Sequence, residues 1–323
     1  MMHGMSGKVN SKLYQWNFTI DGLIPRQVHL KKKVWLKKGE LLLEKKGDNL
    51  IAYLLGDDNK TTDNENKIIP YLWVSCLITP NSPDLTCGGG RSISSESELG
   101  KKPLFSCSIT TSIPNEAVDG IEKYAHKFLG FIGKLHDKYI DIVNQNKFLA
   151  VALEYFHEAN KKSIHSDEGF VNAMISMEAL FNDAPIDIKY KLAQRASFLL
   201  SFCGIDPIES FEKLKSFYNK RSTLVHGGGS LSYDPDRSLI SRYTRKAIII
   251  LLILLRDQKR RNQKSADRKK YILQELDYAL LDEKRRKSLK MEITKGLRNF
   301  NLTIPRTFEG TGKDGKDYRV TAW

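Results

Sequence analysis

The sequence predicts an α+β protein, with a β-rich N-terminal domain over residues 1–113, a helical bundle over 114–300 and a β-like tail over 301–323. Two observations carry this reading. Before residue 113, short runs of alternating apolar, aromatic and β-branched residues are separated by polar clusters of turn-forming residues. After Asn115, apolar residues recur at three- and four-residue steps, the period of one helix face. Neither part contains an internal repeat.

In the first part, residues 13–20 (LYQWNFTI), 28–36 (VHLKKKVWL), 40–43, 50–55 and 68–79 (IIPYLWVSCLIT) read as strands. The polar cluster 56–67 (GDDNKTTDNENK) separates the last two. Residues 80–102 are rich in Ser, Gly and Pro, hold Gly88–Gly90, and read as a long loop or linker. Residues 104–112 read as a closing strand. Short strands with such breaks predict a small sheet or barrel-like domain, suited to sensing or partner binding.

Asn115 is placed to cap the first helix, with Glu116 and Asp119 in its first turn, where acids suit the helix dipole. Ile121, Tyr124, Phe128, Phe131 and Leu135 mark its apolar face. A second helix covers about 147–161. Ser166 caps a third that runs to Phe181, with Phe170, Met174, Met177 and Phe181 on one side. Asp187 opens a fourth to about Phe202, and Asp206 or the following proline opens a fifth over 208–225. The sixth begins near Asp236 and contains 247–255 (AIIILLILL). That run is too short to span a bilayer and is flanked by Arg245, Lys246 and Arg256, so it reads as a buried or interface helix. Two charged helices, 266–280 and 282–296, and a β-like tail with a turn at 313–315 complete the chain.

Composition narrows the partners. A hydrophobic share of 41% with 10% aromatics suits a globular protein with a real core. The net charge of +14 and a pI of about 9.4 favour anionic partners. The excess is uneven: residues 256–300 hold 15 Lys and Arg against 7 acids, and residues 1–113 hold 15 against 11. The cysteines, Cys76, Cys87, Cys107 and Cys203, have no CxxC spacing, so neither a zinc site nor a disulfide framework is expected, and a reducing, cytoplasmic setting is. The N-terminus MMHGMSGKVN has no apolar core of a signal peptide, and no membrane partner is expected. Gly88–Gly90 is not followed by Lys-Ser or Lys-Thr and is no phosphate-binding loop. No metal or cofactor is expected.

One stretch pairs residues fit for phosphate chemistry: 216–229, SFYNKRSTLVHGGG, with Arg221 and His226 just before a glycine run. A phosphodiester under attack gathers charge on its non-bridging oxygens, and a guanidinium meets that charge with two hydrogen bonds at once. Histidine titrates near neutrality and can take or give a proton. In RNA the adjacent 2′-OH is a built-in nucleophile, so one Arg and one His suffice without a metal. On a regular helix five steps separate two side chains by roughly 140°. The glycines place the helix end at His226, and a two-fold dimer could bring Arg221 of one chain to His226 of the other. The plainer reading makes Arg221 a solvated residue and His226 a cation at a helix C-terminus.

The segment 218–227 (YNKRSTLVHG) resembles the signature of the HEPN superfamily, an arginine followed after four to six residues by a histidine. The similarity is nearest to the Apea-like HEPN domains. Residues 170–181 (FVNAMISMEALF) and 189–200 (KYKLAQRASFLL) resemble the two helices that precede the motif in that subgroup, so the resemblance covers about 140–260. It implies a dimerising bundle with two Arg–His pairs in one cleft, cutting RNA to a cyclic phosphate and a 5′-hydroxyl. It also implies a role in toxins, phage defence or RNA processing, with an antitoxin or trigger protein as a further partner; some members are non-catalytic. Carried over, Arg221 binds the scissile phosphate and His226 acts as acid or base. Where many active members have Asn, Asp or His after the arginine, this chain has Ser222, which can still hydrogen-bond.

Glu178 and Arg195, on consecutive predicted helices, either orient this site or lock the bundle as an ion pair. Lys220 and the basic segments 259–270 (KRRNQKSADRKK) and 284–290 (KRRKSLK) could hold an RNA backbone, with Arg260, Arg261, Lys269 and Lys270 as the named contacts; otherwise they are solvated helix faces. Trp16, Trp35, Tyr71 and Trp73 could stack on bases or pack a small β-domain. His126, His136, His157 and His165 read as surface or helix-end residues.

Overall fold

A computed structural model of the chain describes residues 13–21, 33–38, 40–46, 49–56, 67–73, 77, 84–93, 121–161, 166–228, 237–257, 260, 262–301, 307–311 and 317–321. These form an antiparallel sheet, a larger set of helices and a C-terminal hairpin, an α+β arrangement. The chain divides into two compact units. One comprises Met1–Pro70, Asp84–Lys134 and Thr307–Thr321; the other Tyr71–Pro83, Leu135–Arg306 and Ala322–Trp323. The expected boundary at residue 113, the expected strand 104–112, the Asn115 cap and the 313–315 turn lie outside the described residues.

The first unit holds strands β1 (Leu13–Asp21), β2 (Val34–Lys37), β3 (Leu41–Lys46), β4 (Asn49–Gly56) and β5 (Asp84–Ile93). They pair antiparallel in the order β2-β3-β4-β1-β5. Consecutive residues Leu41, Leu42 and Leu43 are buried, as are Leu50 to Leu54, so β3 and β4 are covered on both faces and read as continuous apolar runs. Tyr53 closes this core and its hydroxyl donates to Glu44 at 2.6 Å. Trp35, by contrast, stays 41% exposed. The hairpin β6 (Thr307–Thr311) and β7 (Asp317–Thr321) also belongs to this unit.

Two sequence expectations fail here. Within residues 80–102, read as a long loop or linker from their Ser, Gly and Pro, residues 84–93 form β5, the edge partner of β1. The pairing jumps from Asn17 opposite Gly89 to Phe18 opposite Cys87, so Gly88 is the extra residue of a bulge. A glycine run in a strand marks such an irregularity as readily as it marks a turn. Residues 68–73, the first part of the expected strand 68–79, form a short helix with Lys67, α1 (67–73). Ile68, Tyr71 and Leu72 are its buried residues, a three- and four-residue spacing, and Pro70 is tolerated in a first turn.

The second unit is the helical bundle. Its helices are α3 (Lys147–Lys161), α4 (Asp167–Phe181), α5 (Ile188–Ser201), α6 (Pro207–Val225), α7 (Arg237–Leu254), α8 (Ser265–Leu281) and α9 (Glu283–Asn301). The latter part of α2 (Ile121–Asn144) belongs with them. Ser166 caps α4 by accepting the Gly169 N–H at 2.9 Å, and Phe170, Met174, Met177 and Phe181 are fully buried. Asp187 opens α5 with φ at 57° and no side-chain cap bond. The run 247–255 is buried along its whole length, which makes α7 the central helix, packed on α3, α4, α5 and α9. Among the described residues no helix is long and apolar enough to cross a membrane. His136 and His157, expected at the surface or at helix ends, are both buried. The His136 ring stacks on Tyr71 at 3.7 Å between centroids, a contact no local spacing announces. The His126 side chain and His165 lie outside what is described.

Candidate active site

The motif occupies the C-terminal end of α6. That helix is held at its start by Asp206, whose carboxylate accepts the Glu209 N–H at 2.8 Å, with Pro207 in the first turn. Ser210, Leu214 and Phe217 are its buried residues. At the other end His226 is the C-cap. The Gly227 N–H donates to the Leu224 carbonyl at 3.2 Å and the Gly228 N–H to the Thr223 carbonyl at 2.9 Å, while Gly227 has φ of 77°. This is the Schellman closure, and it needs glycine at Gly227. Gly227→Ala is expected to cost about 1 kcal/mol of stability, read from urea denaturation, because the left-handed backbone opposes a Cβ. The closure leaves the His226 side chain exposed at the rim of the bundle, with its backbone N–H bonded to the Ser222 carbonyl at 3.1 Å.

Arg221 lies five residues back and is half-buried. Its Nε is 3.3 Å from Glu178 Oε1 on α4, the side chains being 23% and 20% exposed. The pair is ionic without hydrogen-bond alignment: neither atom has a hydrogen-bond partner among the described residues. Burial raises the Glu178 pKa, and the Arg221 charge partly opposes that rise. The 3.3 Å contact is made by Nε, the guanidinium nitrogen nearest the chain. α4 and α6 thus bring Glu178 to Arg221, a juxtaposition across 43 residues of sequence that no periodicity reveals.

Arg195 stands apart from this pair. It is 4% exposed and forks between two carboxylates, reaching Asp183 at 2.9 and 3.1 Å and Asp277 at 2.9 and 2.7 Å. It also donates to the Phe181 carbonyl at 3.0 Å. Arg195 therefore ties α5 to the α4–α5 connection and to α8. Its bonds hold the Asp183 carboxyl below the usual range. The expectation that Glu178 and Arg195 act together is corrected: each has its own partner.

The expected RNA contacts divide. Arg260 is 6% exposed, donates to Glu275, Glu292 and the Leu254 carbonyl, and so is a lock between α8, α9 and the end of α7 rather than a contact for RNA. Arg261 lies outside the described residues. Lys269 is half-buried with its ammonium 5.8 Å from the Phe148 ring, and burial lowers its pKa to about 8. Lys270 is exposed on α8, and Lys220 is half-buried with its ammonium 5.9 Å from the Phe217 ring. Asp183, Asp277, Glu275 and Glu292 are the partners that sequence reasoning missed. They lie between 12 and 82 residues from the arginines they neutralise, and no spacing rule spans that range.

No family model, curated protein or solved structure matches the chain.

Proposed function

We propose that the protein is a metal-independent endoribonuclease of the HEPN type, acting as a homodimer in a defence or toxin setting. The observation that carries this reading is Arg221 and His226 on the last turn and cap of one helix, the arginine braced by Glu178 and the histidine exposed. In the reaction, the 2′-oxygen attacks the adjacent phosphorus and the 5′-oxygen departs. The products are a cyclic phosphate and a 5′-hydroxyl. One His226 takes the proton from the 2′-OH, the His226 of a second copy gives one to the leaving oxygen, and Arg221 meets the charge on the non-bridging oxygens. The net charge of +14 suits a polyanionic substrate. The test mixes purified protein with single-stranded RNA in EDTA beside Arg221→Ala and His226→Ala. Equal cleavage by all three, or none by the natural chain, rejects the reading.

The same ion pair favours a second reading, in which the bundle is a non-catalytic RNA-binding or scaffold dimer and Arg221 locks α6 to α4. Under either reading Arg221→Met removes the charge that opposes the burial of Glu178, so that carboxyl moves further up. A group raised in the folded state contributes stability below its unfolded pKa and loses it as pH rises through the folded one. The variant is therefore expected to lose more stability at pH 7 than near pH 4, by urea denaturation at both values. The scaffold reading alone adds RNA binding that persists in His226→Ala with no cleavage by the natural chain.

A further inference from the structure

We infer that the outer face of α9 is the track that holds the phosphate backbone of single-stranded RNA, a role that passes to it because Arg260 is neutralised inside the bundle. Lys284, Lys287, Met291, Lys295 and Arg298 follow each other at three- and four-residue steps along α9, and all five are exposed. With the helix rising about 1.5 Å per residue, the stripe is about 21 Å long, room for several successive phosphates. Lys290 flanks it, also exposed.

The opposite face explains why this side is presented. Leu289 and Ile293 are buried, and a Cβ added at Gly296 would overlap the Ile253 side chain, so α9 lies close against α7 with its cations outward. The acids of α9 subtract little. Glu292 is spent on Arg260, and Glu283 pairs with Lys287 at 2.8 Å with both side chains at least 72% exposed, a contact worth little in water.

A polyanion is the partner this surface fits, and nucleic acid fits better than a lipid surface. A membrane-lying helix pairs its cations with an apolar face that enters the lipid. Here the apolar residues Leu289 and Ile293 are already covered by the bundle, and Met291 is the stripe's lone apolar member. On α8, Tyr278 is 52% exposed and borders a cavity of about 290 Å³ between α8 and α9, where the Arg285 guanidinium lies 5.0 Å from its ring. An exposed aromatic on the neighbouring helix offers a face on which an unpaired base stacks.

RNA as the ligand rests on the function proposed above, whereas cleavage is not needed. The experiment measures anisotropy of a labelled single-stranded RNA with the full chain carrying Arg221→Ala and His226→Ala, across a salt titration. Adding K284Q, K287Q, K295Q and R298Q is expected to weaken binding at least about tenfold and to lower the slope of log affinity against log salt by about 3. The matching three Lys→Arg changes should leave both intact, which separates charge loss from misfolding. Tyr278→Ala should weaken binding by a few-fold with no change in slope. Three results overturn the inference: no RNA binding with the stripe intact, an unchanged slope in the four-fold variant, or binding to vesicles of phosphatidylserine and phosphatidylcholine in place of RNA. If the natural chain never cleaves but the slope falls as stated, the nuclease reading fails and this one stands. If it cleaves and the four-fold variant binds and cleaves normally, the reverse holds.

Discussion

His226→Ala is expected to lower RNA cleavage by about a hundredfold to ten-thousandfold, the range that a positioned general acid or base contributes. The folded state should be nearly indifferent, because the ring is exposed and the helix is closed by backbone bonds of Gly227 and Gly228 rather than by the imidazole. A stability change within about 0.5 kcal/mol is expected, so lost activity reports on chemistry. Arg221→Ala should fall to a similar floor, by about a hundredfold or more, as removal of a charge-stabilising donor does. Arg221→Lys should fare poorly too, since an ammonium cannot offer the two-pronged fork. The double variant should be no worse than the worse single one, because residues acting as a unit are not additive. Mixing the two inactive single variants gives the sharpest outcome. Recovery of part of the activity is expected if each cleft draws on two chains, and no recovery would place a complete site in one chain.

Arg195→Met is expected to destabilise the protein by about 3 kcal/mol. Removing one partner of a buried ion pair leaves the other charge uncompensated, a loss that runs to about 3–5 kcal/mol. The loss falls at the lower end because the Asp277 side chain keeps 38% of its exposure and stays partly hydrated. Asp183→Asn with Asp277→Asn, added to Arg195→Met, should recover much of the loss by removing the stranded charges. The pH sign is definite. The Asp183 carboxyl is depressed in the folded protein, so its pairing contributes above the unfolded pKa and is lost as pH falls through the folded one. The gap between natural chain and variant should therefore narrow below about pH 4. Urea denaturation at neutral and acid pH measures both effects, and a neutral loss under about 1 kcal/mol would show that Arg195 is not a lock.

Helices were legible because their signals are local. Ser166 and Asp206 cap the helices they were expected to cap, and the Phe170-Met174-Met177-Phe181 face is buried as its spacing requires. The end of α6 could be read from Gly227 for the same reason: a positive φ is a demand on one residue. The sheet was harder. Glycine has two uses, so Gly88–Gly90 could not be assigned to a strand bulge without knowing that β1 lies beside it. The apolar run at 68–72 was too short for its period to tell strand from helix, and a pairing partner was the missing fact.

What the sequence by itself determined is therefore the chemistry of single residues and turns: the boundaries of helices α3 to α6, the apolar faces, the basic balance, and the nearness of Arg221 and His226 at one helix end. What only the tertiary structure decided is the fate of the arginines. Arg195 is consumed by Asp183 and Asp277, Arg260 by Glu275 and Glu292, and Arg221 is braced by Glu178, while the cations of α9 face outward. The reason is physical. Helical and turn preferences act over a few residues, whereas a guanidinium taken out of water finds its counter-charge wherever packing brings one, at any distance along the chain.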